Sequence, residues 1–227
     1  MPRPINEAER EATFRQIKAT AQSLMKQHGT AGLSIRAIAR EIGISAPALY
    51  HYYKSMDDLI TALIMDAFNG LADACEAGRD AVLDMPYVEQ AKNVMRAYRQ
   101  WALEHPTQFQ LIYGNPIPGY EAPRDLTVPA SARTLLVLGQ LLNAAKQAGE
   151  INPALTIPPE NEGTLQFIIT HFTNNQGDVL SAYITNIAWS MIHGIIMLEL
   201  FEHLPPVIGD VDAFFEAQLN QLIDYLK

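Results

Sequence analysis

Apolar residues recur every three or four positions in nearly every long segment of this chain of 227 residues, and no segment sustains an alternation of apolar and polar residues. The first such segment carries Phe14, Ile17, Ala21 and Leu24 in this spacing. This spacing places apolar side chains on one face of a helix, whereas a half-buried strand needs alternation. The sequence therefore predicts an all-α fold whose first helix spans about 7–28.

Two short helices are predicted next, on either side of a glycine turn. Ser34 precedes the first, and Ser45 precedes the second, which covers about 46–53; each serine occupies the N-cap position that this residue favours. Gly43 ends the first helix, and Pro47 falls in the first turn of the second, where its missing N–H costs nothing. The arrangement matches a helix-turn-helix, whose second helix enters the major groove of DNA. An ordinary helical hairpin with a capped turn is the alternative.

The charge of the chain is divided unequally along its length. Residues 1–56 hold eight Lys or Arg against four Glu, a net charge of +4, and the remaining residues hold eight against 21, a net charge of −13. A basic head attracts DNA phosphates, and an acidic body is repelled by them. The division predicts that the N-terminal end binds double-stranded DNA, although a solvated helix face near the terminus would also be basic.

The run over residues 34–55, SIRAIAREIGISAPALYHYYKS, closely resembles the helix-turn-helix of the TetR (tetracycline repressor) family, including its Leu-Tyr step and its aromatic pair. The resemblance implies that Ser45 and Tyr50 contact the DNA backbone. One position departs from the family, because Met56 stands where a lysine is common, and Lys54 is the candidate to replace that phosphate contact in part. The DNA-binding residues predicted for this head are Arg36, Ser45, Ala46, Pro47, Ala48, Tyr50, His51, Tyr52 and Lys54.

The C-terminal part carries a second and less specific resemblance. Residues 189–194 have the pattern Trp-x-x-x-His-Gly, which is similar to a C-terminal type found in some TetR relatives, and residues 105–120 fit the same subgroup. The resemblance implies a three-helix DNA-binding domain over residues 1–55 and a larger helical domain for ligand binding and dimerisation over residues 56–227. Helices four to seven would surround a ligand cavity, and the last two helices would form the homodimer interface. Gly194 is expected to allow close helix packing.

The segment over residues 178–203 is predicted as one helix that is apolar almost all round. Such a helix is buried from two sides, which its own core and a partner subunit would provide. Residues 179–198 contain no Asp, Glu, Lys or Arg, but Ser181, Asn186 and His193 make a membrane span the lesser alternative. Because the first ten residues are charged and Cys75 is the one cysteine, we expect a cytoplasmic protein without membrane contact.

A small-molecule effector is expected in the second domain, because aromatic walls with few polar tips suit a small, largely apolar ligand. Each candidate, taken alone, fits a packed core more often than a ligand site. The ligand-binding residues predicted on this basis are Tyr98, Trp101, Phe109, Tyr113, Tyr183, Trp189 and His193.

A metal-dependent enzyme is the rival class of protein. His171, His193 and His203 could gather around a metal with Glu199 or Glu202, but no two of these histidines have the i, i+3 or i, i+4 spacing of a helical metal site. The chain also has no Gly-rich phosphate loop and no nucleophile signature. We therefore expect no enzyme, no metal and no cofactor. The sequence predicts a one-component transcriptional regulator, a repressor in expectation, with a helical interaction module without DNA binding as the alternative.

Overall fold

The computed structural model describes residues 7–152 and 178–227, together with Gly163, Leu165, Gln166 and Ile169. Within these residues the chain forms nine α-helices and one short 3-10 helix, Thr30–Gly32, and no strand, so the all-α prediction is confirmed. The helices are α1 (Glu7–His28), α2 (Ile35–Ile42), α3 (Ala46–Leu49), α4 (Met56–Asp80), α5 (Tyr87–Glu104), α6 (Pro106–Tyr113), α7 (Arg124–Gln147), α8 (Val179–Leu200) and α9 (Val211–Leu226).

The chain divides into two compact units. The first contains residues 1–67 and 107–127, and the second contains residues 68–106 and 128–227. Helices α4 and α7 each contribute residues to both units. The functional boundary predicted after Ser55 stays a prediction, because compactness does not test which residues bind DNA or ligand.

Helices α1, α2, α3 and the start of α4 share one apolar core in the first unit. Full burial of each large aliphatic side chain stabilises such a core by about 1.5–3 kcal/mol. Leu111 of α6 packs against the same core, although it lies far along the chain from the other members. The buried members are Ile17, Ala21, Leu24, Met25, Ile35, Ile38, Ala39, Leu49, Tyr53, Leu59 and Leu63.

Helix α7 begins six residues earlier than the sequence suggests. Four prolines and two glycines in residues 114–129 predict an irregular loop with helix only from Ala130, whereas the helix starts at Arg124 and contains Pro129. The carbonyl of Pro123 accepts hydrogen bonds from the N–H groups of Leu126 and Thr127, at 3.1 and 3.0 Å, which starts the helix. Pro129 lies in the second turn, where its missing N–H removes one backbone bond without ending the helix.

The ends of two helices in the second unit are held by residues distant in sequence. No side chain at Pro86 caps α5; instead, the carboxylate of Glu150 accepts hydrogen bonds from the N–H groups of Tyr87 and Val88, at 3.2 and 2.9 Å. The N–H of Asn152 donates to the carbonyl of Leu226 at the end of α9, at 2.7 Å. Residues 150–152 therefore complete the N-terminus of one helix and the C-terminus of another.

Candidate DNA-binding head and ligand core

The turn between α2 and α3 is built by the residues that the sequence singled out. The Oγ of Ser34 accepts the N–H of Ala37 at 3.1 Å, and the Oγ of Ser45 accepts the N–H of Ala48 at 3.2 Å. Gly43 adopts a φ of 75°, in the left-handed region that ends a helix and that favours glycine. Both predicted N-caps are confirmed. The hydroxyl hydrogen of Ser45 remains available for a phosphate oxygen, since the cap uses only its lone pair.

The predicted DNA-binding residues all reach the surface of the first unit. Tyr50 directly follows α3 and is 50% exposed. The side chains of Ala46, Ala48 and Tyr52 are half-buried. The exposed members of the set are Arg36, Ser45, Pro47, Tyr50, His51 and Lys54.

Helix α3 is held from behind by an apolar and aromatic support. Leu49 is fully buried, and the ring of Phe14 on α1 meets the rings of Tyr52 and Tyr53 edge to face, at centroid distances of 5.1 and 5.5 Å. Burial raises the pKa of Tyr53 to about 12, with a further contribution from the charge of Asp66. Tyr53 is therefore a neutral core residue, while Tyr50 on the other side of the same turn points to solvent.

The start of α4 has no cation at the position where the family carries one. The side chain of Met56 is half-buried and packs against the core of the first unit. The Oγ of Ser55 caps the helix by accepting the N–H of Asp58 at 3.0 Å. Lys54 is exposed immediately before this cap, so it is the nearest cation in sequence. That Lys54 replaces, in part, the phosphate contact of a lysine at position 56 stays a prediction.

Two polar contacts fasten α4 within the first unit, and no pattern in the sequence indicated either of them. The Nζ of Lys18 on α1 lies 2.6 Å from a carboxylate oxygen of Asp66. The hydroxyls of Thr61 and Tyr120 lie 2.8 Å apart. Gly119, with a φ of 78°, turns the chain so that the N–H of Tyr120 bonds the carbonyl of Ile117 at 3.1 Å.

Three of the seven predicted ligand-binding residues meet in the second unit. The indole N–H of Trp189 donates to the hydroxyl oxygen of Tyr98 at 3.2 Å, and that hydroxyl lies 3.1 Å from Nδ1 of His193. Burial lowers the pKa of His193, so the neutral imidazole is favoured at pH 7. Since indole only donates, the order that satisfies all three groups runs from Trp189 through Tyr98 to Nδ1 of His193.

The other four predicted ligand-binding residues are divided between the two units. The ring of Trp101 faces that of His105 at 5.0 Å in the second unit. Phe109 and Tyr113 belong to the first unit, with ring centroids 5.1 Å apart. Tyr183 lies in an apolar groove on the surface of α8 and α9. Tyr98, Trp189 and His193 are thus hydrogen-bonded to one another in the second unit, and the ligand-binding role of all seven residues stays a prediction.

An ionic network that the sequence did not indicate joins α5 to α8 and α9. The guanidinium of Arg99 forms two hydrogen bonds with the carboxylate of Glu199, at 2.6 and 2.8 Å, and a third with Asp212 at 2.6 Å. It also stacks over the ring of Phe215, 4.8 Å from the centroid. These partners are 100 or more residues away along the chain, so no local pattern could have revealed them.

Helix α8 is long and apolar enough to cross a membrane when judged by length and composition alone, a test that core helices of soluble proteins also pass. Within the second unit, one face of this helix is buried and carries, among others, Ala188, Ile192 and Ile196. Among the described residues no three His, Cys, Asp or Glu side chains are placed to hold a metal ion. His171, one of the histidines considered for a metal, lies outside the described residues.

Two capped short helices, a left-handed glycine between them and an exposed surface backed by α1 define a helix-turn-helix DNA-binding protein. Residues 17–63 match the family model "Bacterial regulatory proteins, tetR family", and residues 91–222 match "Tetracyclin repressor-like, C-terminal domain". The chain belongs to the TetR family of transcriptional regulators. It is accordingly a DNA-binding regulator of transcription and not an enzyme.

Similar proteins support this assignment over nearly the whole chain. The HTH-type transcriptional regulator Rv1816 of Mycobacterium tuberculosis is 31% identical over 218 residues, which cover 96% of this chain and 93% of that protein. The crystal structure of SCO4313, a protein proposed to be regulatory, has a TM-score of 0.78 and 31% identity, covering 98% of both chains. The TetR family transcriptional regulator PfmR from Thermus thermophilus shares the fold, with a TM-score of 0.61 and 18% identity over 92% of this chain and 97% of that one.

Proposed function

We propose that this regulator acts in the cytoplasm as a homodimer that represses transcription from a near-palindromic operator. The observation that carries the proposal is the exposed Tyr50 at the end of a capped short helix, within the net-basic part of the chain, residues 1–56. Two such helices related by a dyad read half-sites about one helical turn, roughly 34 Å, apart. Residues 1–55 carry DNA binding in this proposal, and residues 56–227 carry ligand binding and dimerisation.

The last two helices form the dimer interface in this proposal. An apolar groove between α8 and α9 supports it, because such a surface is suited to burial against another protein surface. The residues that line the groove are Leu180, Tyr183, Ile184, Ile187, Leu222, Tyr225 and Leu226.

A small, largely apolar effector releases the repressor from its operator in this proposal. The candidates are the seven aromatic and histidine residues predicted above, of which the linked group of Tyr98, Trp189 and His193 has the strongest support. Those three side chains offer aromatic surface together with polar groups, a combination suited to orienting an apolar ligand. Binding tilts α4, and the tilt changes the separation of the two recognition helices.

Arg36→Ala tests the DNA-binding face. Arg36 is exposed on α2, and its loss is expected to weaken binding to all DNA sequences alike, because a phosphate contact carries no base information. Each dimer would lose two such contacts, so the negative slope of log K against log salt should become about 1.8 less steep. The measurement is a fluorescence-anisotropy titration at several salt concentrations. The DNA is an operator selected from a random library by the wild-type protein.

Lys227→Ala is the matched control, since it removes one positive charge from an exposed position in the second unit. It should leave the salt slope unchanged. Equal slopes for wild-type protein and Arg36→Ala would remove Arg36 from the interface.

Trp189→Ala tests the effector site. A thermal-shift screen of small apolar and aromatic compounds first finds a compound that raises the melting temperature of the wild-type protein and releases the selected operator. The variant loses one wall of the proposed site and the N–H that holds Tyr98. We expect it to bind the operator normally while its affinity for the compound falls about tenfold or more, as for a buried aromatic contact. A variant that folds and responds like the wild type would exclude Trp189 from the site.

A further inference from the structure

The outer face of α8 carries an unbroken apolar stripe. Its members follow one another at intervals of three or four residues, which places them on one side of the helix. Ile187 and Leu198 are 37% and 47% exposed, and Gly194 between them is also exposed. No charged residue occurs in residues 179–198. The stripe consists of Leu180, Tyr183, Ile187, Met191, Gly194 and Leu198.

The Trp-x-x-x-His-Gly motif is divided between two sides of this helix. Trp189 and His193 turn toward α5 and hold the hydroxyl of Tyr98. Gly194 is one residue further on, which is about 100° around the helix axis, and it lies on the exposed stripe. The aromatic and histidine positions of the motif thus have partners within the chain, whereas the glycine faces outward.

Nothing within the described part of the chain requires glycine at this position. A Cβ built on Gly194 meets no atom within 4 Å there, and the residue does not have a positive φ. Gly78 on α4 is different, because a Cβ there would lie 2.7 Å from the Cβ of Ala97. Glycine is among the least favourable residues in a helix interior. The close packing expected around Gly194 is therefore not found within the described part of the chain.

We infer that Gly194 marks the point where α8 crosses α8 of a second copy of this chain. The distance between two packed helices depends on the side chains at their contact, so a glycine permits the closest approach. In a dimer with a two-fold axis, a helix that crosses its own copy places the same residues opposite each other. The inference rests on the proposed homodimer and specifies how its interface is arranged.

A second copy fits this face better than the other possible occupants. The stripe has the three-and-four spacing that interlocks with another helix, and it continues into the apolar groove between α8 and α9. DNA is a poor occupant because the stripe offers no positive charge to phosphates. Lipid would cover the same apolar residues, but a missing side chain at Gly194 would reduce the apolar area that lipid could bury.

Gly194→Leu in the full-length chain tests the crossing by its bulk. Since a new side chain meets nothing in the described part of the chain, the variant should keep its helical circular dichroism and its cooperative melting. Its dimer dissociation constant, measured by sedimentation equilibrium, should rise at least about 100-fold because the two leucines would meet at the crossing. Gln140→Leu is the matched control: it adds a leucine to an exposed position of α7 and should leave the dissociation constant unchanged.

Gly194→Cys tests the same crossing by its position, without relying on a destabilised variant. Two cysteines whose Cα atoms lie within about 7 Å can form a disulfide, so mild oxidation should convert most of this variant into a covalent dimer. Gln140→Cys should remain unlinked. The native Cys75 is fully buried, which keeps it out of the reaction.

The possible outcomes separate this inference from the homodimer itself. A dimeric wild type with an unchanged dissociation constant for Gly194→Leu and no linkage of Gly194→Cys would overturn the crossing and leave the homodimer standing. A wild type that is monomeric at micromolar concentration, both free and on the selected operator, would overturn the homodimer. A monomer that binds phosphatidylcholine–phosphatidylglycerol vesicles through this face would overturn both and assign the stripe to lipid.

Discussion

Tyr50→Ala should abolish binding to the selected operator while the protein remains folded and dimeric. Tyr50 lies outside the core of the first unit and is half exposed, so its removal leaves the packing around Leu49 and Tyr53 intact. Each head loses a hydrogen bond to a charged phosphate, worth about 1.5–3 kcal/mol, and a dimer loses two, which corresponds to a complex at least about 100-fold weaker. Anisotropy titration with labelled operator measures the loss, and sedimentation velocity checks the dimer.

Tyr87→Ala is the control for removing an exposed tyrosine. Tyr87 is exposed at the start of α5 in the second unit, and its contact with Glu150 uses the backbone N–H, which the substitution keeps. It should bind the operator as the wild type does. Unchanged operator affinity of Tyr50→Ala would refute the assignment of the recognition helix.

Arg99→Ala should be more destabilising than removal of an exposed ion pair in the same unit. The side chains of Arg99 and Glu199 are only 12% and 15% exposed, so the variant leaves a nearly buried carboxylate without its cation. Breaking a buried pair in this way costs about 3–5 kcal/mol. At about 2–4 °C per kcal/mol, the melting temperature should fall by about 6–20 °C. Differential scanning calorimetry gives both quantities.

Two further variants distinguish the cost of leaving the Glu199 carboxylate unpaired from the cost of losing an ion-pair contact. Arg96→Ala removes a bidentate pair with Glu216 whose side chains are 38% and 42% exposed, so the change should be within about 1 kcal/mol. The double variant Arg99→Met with Glu199→Leu replaces both charges by apolar groups and should recover most of the stability. If Arg99→Ala and Arg96→Ala had the same melting temperature, the ion pair of Arg99 would contribute no more to stability than an exposed ion pair does.

The sequence predicted the parts of the structure that depend on local chemistry. The capping serines at 34 and 45 and the glycine that ends α2 at position 43 follow from residue type and spacing within one or two helical turns. The end of α3 differs, because its helical pattern predicts a helix to about 53, whereas the helix ends at Leu49 and continues as turns. The start of α7 was missed because proline is read as a helix breaker, whereas Pro129 lies in the second turn of the helix and removes one backbone bond without ending it.

The sequence could not predict contacts between residues far apart in the chain. Trp189 and His193 were predicted as ligand-binding residues, but their common hydrogen-bond partner Tyr98 is more than 90 residues away. The partner of Thr61, Tyr120, is likewise 59 residues away. Such pairings depend on how the helices pack, and the local patterns of a single sequence do not determine that packing. The roles of the predicted DNA-binding and ligand-binding residues remain predictions for the experiments above.

The contacts of residues 150–152 have a consequence for the order in which the chain can fold during synthesis. Helix α5 receives its cap only after Glu150 has emerged, more than 60 residues after Tyr87, and the end of α9 finds Asn152 only when Leu226 is present. The core of the first unit needs nothing beyond Leu111. On the ribosome, where N-terminal parts fold first, the core of the first unit can therefore form early, and the second unit can complete its contacts only after Leu226 has emerged.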